Sequence, residues 1–148
     1  MAEFRRRASA VWNGDLKGGK GTMSAHSGAF KAVPYNFTMR FGDEPGTNPE
    51  EMLAAALASC YSMALSNVLS TKGHKVESVD SEATCFFTSK PEGGFHVTRM
   101  LLKVTGHVAG IDQATYAAVA KDVEANSCPM SVLLHGCVPI EVDATLVK

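Results

Sequence analysis

The segment from residue 47 to residue 70, TNPEEMLAAALASCYSMALSNVLS, restricts the possible fold of this chain more than any other. Pro49 near its start and the acidic pair Glu50 and Glu51 predict a helix N-terminus, and Gly73 predicts where the helix ends. A helix of about 23 residues rises roughly 35 Å, which is enough to cross a small domain. We therefore predict that this helix is the central element of the fold.

Within this segment, Met52 to Leu69 is the only stretch that could be a membrane span. It is short for that purpose and contains Ser59, Ser62, Ser66 and Asn67, which suit a buried core helix better. A net charge of -1 and a pI near 6.5 give no field that would recruit nucleic acid or an anionic membrane. We interpret the short basic run at residues 5–7 as a solvated arm, and expect no nucleic acid or membrane partner.

The remaining segments predict a single α+β domain over residues 1–148, since no linker, repeat or low-complexity tract interrupts them. A tight hairpin is expected at Asn13-Gly14-Asp15, where two turn formers separate two short strands. The predicted strands cover residues 3–12, 15–25, 35–41, 75–88, 95–108 and 138–147. The predicted shorter helices cover residues 112–125 and 129–135.

The N-terminal sequence MAEFRRRASAVWNGD lacks the apolar region and the cleavage pattern of a signal peptide, so we expect a cytoplasmic protein. The cysteines, at positions 60, 85, 128 and 137, do not resemble a secreted disulfide framework. Cys85 and Cys137 are interpreted as structural. The histidines are scattered and no C-x-x-C is present, so we expect no metal, and no motif indicates a cofactor.

Cys60 lies in the middle of the predicted long helix. Its apolar neighbours would raise the pKa of the thiol by desolvation, and taken alone it is most simply a small core residue. Cys128 differs, because Ser127-Cys128-Pro129 stands just ahead of a short helix whose free N–H groups would lower a thiol pKa. Two such thiols, far apart in the sequence, could close a redox disulfide.

Residues 47–66 resemble the signature helix of the OsmC/Ohr family, the osmotically inducible and organic hydroperoxide resistance proteins. Ser127-Cys128-Pro129-Met130-Ser131 is similar to the second cysteine motif of that family. Four N-terminal patterns resemble the OsmC branch more than the Ohr branch: Trp12-Asn13-Gly14, Gly19-Lys20-Gly21-Thr22, Ser27-Gly28 and Met39-Arg40-Phe41. The resemblance covers essentially the whole chain, and it implies antiparallel sheets packed around a long central helix in an intertwined homodimer.

The resemblance implies a thiol-dependent peroxidase that reduces organic hydroperoxides in oxidative or osmotic stress defence. Cys60 matches the peroxidatic cysteine and Cys128 the resolving cysteine. Arg40 matches the arginine that supports the thiolate, and Glu50 matches the acid that holds this arginine, with Glu51 as the alternative. The candidates for a substrate pocket are Met52, Tyr61 and Met63.

In the cycle that the resemblance implies, Cys60 becomes a sulfenic acid and Cys128 condenses with it to a disulfide. An external dithiol must reopen that disulfide, and resemblance to the Ohr branch suggests a dihydrolipoyl protein. The apolar surroundings of Cys60 favour an alkyl or lipid hydroperoxide over H2O2.

The spacing of Glu50 and Cys60 predicts an assembly of two chains. Ten residues along a straight helix amount to roughly 15 Å and about 280° of rotation, so Glu50 cannot easily reach Cys60 of its own chain. We therefore predict a homodimer with active sites shared between chains. The small residues expected to pack between the two long helices are Ala54, Ala55, Ala56 and Ala58.

Three alternatives remain open from the sequence. The chain could be a catalytically silent protein of the same fold that binds a small molecule or acts in stress. It could instead be a structural zinc protein that uses its four cysteines. Within the enzyme interpretation, Cys128 could be the attacking thiol because of its position at a helix start.

Overall fold

The computed structural model describes residues 3–147. These residues form two compact units, which divide between Met52 and Leu53 inside the long helix α2 (Pro49–Thr71). In the described part of the chain, each unit has one three-stranded sheet. The α+β class predicted from the sequence is confirmed.

The first unit holds, in chain order, β1 (Ala8–Asn13), β2 (Lys20–Ala25), β3 (Val33–Asn36), α1 (Phe37–Phe41) and the start of α2. Its strands pair antiparallel in the order β1-β2-β3.

The predicted tight turn at Asn13-Gly14-Asp15 is wrong, because β2 begins only at Lys20. Asp15 explains the longer loop. Its carboxylate accepts hydrogen bonds from the N–H groups of Lys17 and Gly18, at 2.9 and 2.7 Å. Its carbonyl accepts a further bond from the N–H of Gly19, at 2.9 Å. An aspartate that bonds to its own following backbone folds a compact loop instead of a two-residue turn.

The predicted strand over residues 35–41 is right only for its first two residues, because β3 ends at Asn36 and a short helix follows. The Asn36 side chain accepts a hydrogen bond from the N–H of Met39 at 2.8 Å, which caps the first turn of α1. Glu44 holds this turn by accepting bonds from the Thr38 hydroxyl and the Asn36 amide. The local cap overrides the strand pattern.

The second unit holds the rest of α2 and, in chain order, β4 (Lys75–Ser89), β5 (Phe95–Ala109), α3 (Gln113–Asp122), a π-helical turn (Val123–Ser127), α4 (Pro129–Leu134) and β6 (Ile140–Val147). β4 and β5 pair antiparallel, as the resemblance implied. β6 runs parallel to β5, so this sheet is mixed. The helices between β5 and β6 make the crossover that a parallel pair requires.

Helix α2 confirms the predicted central helix and its bounds. Asn48 caps its start, accepting a hydrogen bond from the N–H of Glu51 at 2.8 Å. At its end the N–H of His74 bonds to the carbonyl of Leu69 at 3.1 Å. Gly73, with φ of 88°, adopts the left-handed conformation that this closure needs.

The core of the second unit lies between α2, α3 and β5. One face of α2 is fully buried at every fourth residue, at Leu57, Tyr61, Leu65 and Leu69. This is the spacing that places side chains on one side of a helix. β5 contributes alternate residues of its inner face, Met100, Leu102 and Val104, and α3 contributes Tyr116 and Ala120.

α2 is also apolar enough to cross a membrane by length and composition alone, with a mean hydropathy of 1.5. The core helix of a soluble protein meets the same criterion, and one face of α2 is occupied by the core just described.

The predicted helix over residues 112–125 divides into two parts. α3 begins after Asp112, whose side chain accepts a hydrogen bond from the N–H of Thr115 at 2.8 Å. It ends at Asp122, and a π-helical turn continues to Ser127. Such turns are rare and frequently occur at functional sites.

Candidate active site

The second unit brings together the two cysteines that the sequence analysis singled out. Cys60 lies in the middle of α2, and Cys128 is the residue between the π-helical turn and α4. Their thiols are hydrogen bonded to each other, and both are reduced. Cys128 is fully buried and Cys60 is half-buried. Two thiols in contact, separated by 68 positions, are placed to form a disulfide.

The surroundings of Cys60 act on its acidity in opposite directions. Burial raises the pKa of the Cys60 thiol, and the neighbouring Cys128 raises it further. The backbone N–H of Met130 donates a hydrogen bond to Cys60, which lowers the pKa. Burial is the largest of these effects, so within this unit the protonated thiol is favoured.

The hydrogen bond from Met130 was missed by the sequence analysis. The free N–H groups at the start of α4 were expected to act on Cys128, and one of them acts on Cys60 instead. The sequence Cys128-Pro129 did predict the start of a helix, and therefore the presence of free N–H groups there. Only the packing of α4 against α2 shows which sulfur that start faces.

Glu124 and His135, which flank the Cys128 segment, were not predicted as site residues. Glu124 lies in the π-helical turn and His135 directly follows α4. His135 Nε2 and Glu124 Oε1 are 2.5 Å apart. Neither residue belongs to a motif, so no local signal in the sequence could have paired them.

The first unit contains the predicted pair of Arg40 and Glu50. Arg40 is near the end of α1, and Glu50 is in the first turn of α2 and only 9% exposed. Arg40 Nε donates to both carboxylate oxygens at 3.1 Å, and one terminal nitrogen donates to Oε1 at 2.6 Å. Such charge-assisted bonds fix the plane of a guanidinium group. The alternative acid, Glu51, points to solvent.

The three predicted pocket residues lie in different environments. Met52 lines an apolar cavity of about 530 Å³ in the first unit, together with Phe30 and Tyr35. Met63 is 74% exposed on α2. Tyr61 is fully buried, and its hydroxyl donates to the carbonyl of Ala120 at 2.7 Å. A substrate-binding role for these residues stays a prediction.

Within residues 3–147, no three histidine, cysteine, aspartate or glutamate side chains cluster in an arrangement that would hold a metal ion.

Comparison with known proteins relates the chain to one family. The family model described as "OsmC-like protein" matches residues 42–143. The chain is 40% identical over 138 residues to "Peroxiredoxin OsmC" of Escherichia coli strain K12, covering 93% of this chain and 95% of that protein.

Two solved structures show the same fold. One is the organic hydroperoxide resistance protein OhrB of Bacillus subtilis, with a TM-score of 0.72 at 20% identity over 94% of this chain and 98% of that one. The other is an OsmC-like protein from Mycoplasma pneumoniae, with a TM-score of 0.76 at 19% identity over 99% of this chain and 100% of that one.

Proposed function

Since the chain belongs to the OsmC-like family of cysteine-based peroxidases, we propose that it reduces organic hydroperoxides to alcohols through Cys60 and Cys128. The observation that carries this proposal is the contact between the two reduced thiols in the second unit. The choice of organic hydroperoxides is supported by the Bacillus subtilis structure, whose protein is named for resistance to them. We propose a role in stress defence within the cytoplasm, where thiols are kept reduced.

The proposed cycle has three steps. The Cys60 thiolate attacks the terminal oxygen of ROOH, the O–O bond breaks, and the leaving alkoxide takes a proton to become ROH. Cys60 is thereby oxidised to a sulfenic acid. The Cys128 thiol then attacks the Cys60 sulfur, which forms the disulfide and releases water. An external dithiol, such as a dihydrolipoyl protein, returns both thiols by exchange and is itself oxidised to a disulfide.

Arg40 is proposed to support the thiolate in the first step. Because burial raises the pKa of Cys60, the attacking anion needs a cation that cannot lose its own charge. A guanidinium group meets this requirement, and Glu50 holds it in one orientation. We include in this proposal that the guanidinium of Arg40 lies close enough to the Cys60 sulfur to stabilise its thiolate.

We propose that both units form one OsmC-like domain and that two chains form a homodimer through α2. Ala55 and Ala56 lie exposed on α2, and Met63 exposes an apolar side chain on the same helix. Ala54 belongs to the core of its own chain, so it is not available for this contact. The α2 helix of a second chain would cover this apolar surface and remove it from water. In this proposal a second protein chain, and not a lipid bilayer, covers the exposed side of α2.

The test is a titration of the thiols before and after one equivalent of cumene hydroperoxide, followed by peptide mapping without reductant. We expect two thiols to disappear for each peroxide and the Cys60 and Cys128 peptides to be joined. Cys137→Ser, a change at an exposed cysteine, is the matched control and should behave like the wild type. Survival of the thiols would overturn the proposal and favour a silent protein that uses this fold for binding.

Single substitutions decide which sulfur attacks. Cys128→Ser should still consume one peroxide and leave a sulfenic acid on Cys60 that dimedone traps. Cys60→Ser should leave the peroxide unreacted. A trapped sulfenic acid on Cys128 in the Cys60→Ser protein would reverse the two roles. Parallel assays with H2O2 test the preference for organic peroxides, and equal rates would remove that part of the proposal.

A further inference from the structure

Cys128 is the single extended residue between two helical segments. Its backbone has φ of −82° and ψ of 113°, whereas the π-helical turn before it and α4 after it are both helical. The N–H of Cys128 bonds back to the carbonyl of Val123 at 2.9 Å, and its carbonyl accepts from the N–H of Val132 at 3.0 Å. Cys128 is therefore the joint at which the chain changes direction.

The angle at this joint determines two contacts with Cys60. One is the thiol of Cys128 itself, and the other is the N–H of Met130 in the first turn of α4. The first group belongs to Cys128 itself, and the second belongs to a residue two positions after it. A rotation of α4 about Cys128 would therefore move them relative to Cys60, which is held on the long helix α2.

The pair of Glu124 and His135 connects the segments on the two sides of Cys128. Glu124 lies four residues before Cys128, His135 lies seven residues after it, and their side chains are 2.5 Å apart. The Glu124 side chain is only 13% exposed, whereas that of His135 is 40% exposed. A partly buried carboxylate is a stronger hydrogen-bond partner than one in open solvent. The contact thus links the π-helical turn directly to the end of α4.

We infer that Glu124 and His135 form a brace that positions Cys128 for its attack on oxidised Cys60. This inference rests on the proposed peroxidase cycle. Neither residue touches the reacting sulfur atoms, so both are positioning residues. The brace acts mainly on the second step of the cycle, in which the Cys128 sulfur must close from hydrogen-bonding contact to a covalent S–S bond of about 2.05 Å.

The first step depends less on the brace. Peroxide attack needs the Cys60 thiolate on α2, and α4 contributes to it one neutral N–H group, that of Met130. Disulfide formation needs the second sulfur at the correct place, and a displacement of about 1 Å can slow a reaction roughly a hundredfold. A loosened joint should therefore prolong the life of the sulfenic acid. A second peroxide then converts more of it to sulfinic acid, which does not return to the cycle.

The experiment separates the two steps in Glu124→Ala and His135→Ala. Each reduced protein is mixed with one equivalent of cumene hydroperoxide and quenched at intervals. Dimedone adducts report the sulfenic acid on Cys60, and non-reducing peptide maps report the disulfide. We expect disulfide formation to slow by about tenfold or more while peroxide consumption changes by less than about threefold. With excess peroxide, mass spectrometry should show more sulfinic acid on Cys60.

Two further variants make the result specific to the brace. Asn126→Ala removes a hydrogen bond from Asn126 to Asp122, 2.9 Å long, that lies beside the joint without crossing it. It should form the disulfide at the wild-type rate. Glu124→Gln keeps an acceptor oxygen for His135 and the shape of the side chain, so it should recover part of the rate that Glu124→Ala loses.

Disulfide formation at the wild-type rate in both alanine variants would overturn the inference, as would equal slowing in Asn126→Ala. A wild-type protein that consumes peroxide and forms its own disulfide shows that the proposed cycle stands in either case. If the wild type forms no disulfide, the proposed function fails and the brace fails with it.

Discussion

At the scale of single residues, the environment of Cys60 presents a conflict that the proposed function must resolve. Burial among the side chains of the second unit raises the pKa of its thiol, and one N–H group from Met130 opposes this. A peroxidatic cysteine reacts as the thiolate, so a raised pKa reduces the reactive fraction at neutral pH. The proposed role of Arg40 is to reverse that balance.

We predict that Arg40→Ala moves the alkylation of Cys60 to higher pH. The reason is that the uncompensated effect of burial keeps the thiol protonated, whereas a nearby guanidinium favours the thiolate. The rate of reaction with iodoacetamide, followed from pH 5 to pH 10 in a Cys128→Ser background, gives the midpoint. As long as the pKa of the thiol lies above 7, raising the midpoint by one pH unit lowers the rate at pH 7 by about tenfold.

Arg99→Ala is the matched control for this prediction. Arg99 is an arginine of the second unit whose guanidinium carbon lies 3.5 Å from the centre of the Phe86 ring. Its loss should leave the midpoint of Cys60 alkylation unchanged. If Arg40→Ala also leaves the midpoint in place, Arg40 does not support the thiolate.

At the scale of elements, α2 and α3 each place one fully buried tyrosine in the same core, and the two hydroxyls differ. Tyr61 of α2 donates to the carbonyl of Ala120 at 2.7 Å. The hydroxyl of Tyr116 in α3 has no hydrogen-bond partner among the described residues. An added Cβ at Gly106 would collide with that hydroxyl, so glycine in β5 makes room for the ring.

We predict that the two tyrosine-to-phenylalanine changes alter stability in opposite directions. Tyr61→Phe removes one of two donors to the carbonyl of Ala120, which also accepts from the N–H of Val123. The loss of that hydrogen bond should lower the free energy of unfolding by about 1 kcal/mol. Tyr116→Phe removes a buried hydroxyl that makes no bond, so it should leave the stability unchanged or raise it by about 1 kcal/mol. Urea denaturation at pH 7 measures both. Equal losses would show that Tyr116 has an acceptor.

The same tyrosines predict a loss of stability in alkali. Burial raises the pKa of Tyr116 to about 12, and it raises the pKa of Tyr61 further. Both phenols are neutral in the folded and unfolded states below about pH 10, so their contribution to the free energy of unfolding is fully present there. Above that pH only the unfolded chain ionises readily. The contribution is then lost as the pH rises towards the folded-state pKa values.

We predict that the free energy of unfolding falls between pH 9.5 and pH 11 and that Tyr116→Phe falls less steeply than the wild type. Urea denaturation at a series of pH values measures the two slopes. Identical slopes for the two proteins would mean that Tyr116 titrates normally in the folded state.

At the scale of the whole molecule, the exposed surface of α2 bears on the assembly. Ala55, Ala56 and Met63 leave an apolar surface on a helix whose opposite face is occupied by the core. Small residues allow two helices to approach closely, and a closed pair of identical chains covers the same surface on both. The proposed sharing of active sites makes the dimer a condition of activity.

We predict that Ala56→Glu produces a monomer with greatly reduced peroxidase activity, because a carboxylate would be buried against the second chain. Analytical ultracentrifugation gives the mass, and the consumption of cumene hydroperoxide gives the activity. Lys121→Glu, a charge change on the exposed surface of α3, is the control and should remain an active dimer. A fully active wild-type monomer would contradict the proposal of a shared site.

Local signals in the sequence determined the elements whose ends are chemically marked. Asn48 and Gly73 bound α2, the loop at residues 90–94 separates β4 from β5, and Cys128-Pro129 announces α4. The cysteine motifs also carried the resemblance that the family comparison confirmed. Each of these signals lies within a few residues of the feature it predicts, so these features could be predicted from the local sequence without any tertiary contact.

The tertiary structure alone decided which distant groups meet. Met130 donates to Cys60 because α4 packs against α2, and Glu124 meets His135 because the chain turns at Cys128. The end of β3 at Asn36 depends on the cap that its side chain makes, and the strand pattern beyond it was misleading. A hydrogen bond needs its partners within about 3 Å, and sequence spacing does not specify distances between elements that only the packed core brings together.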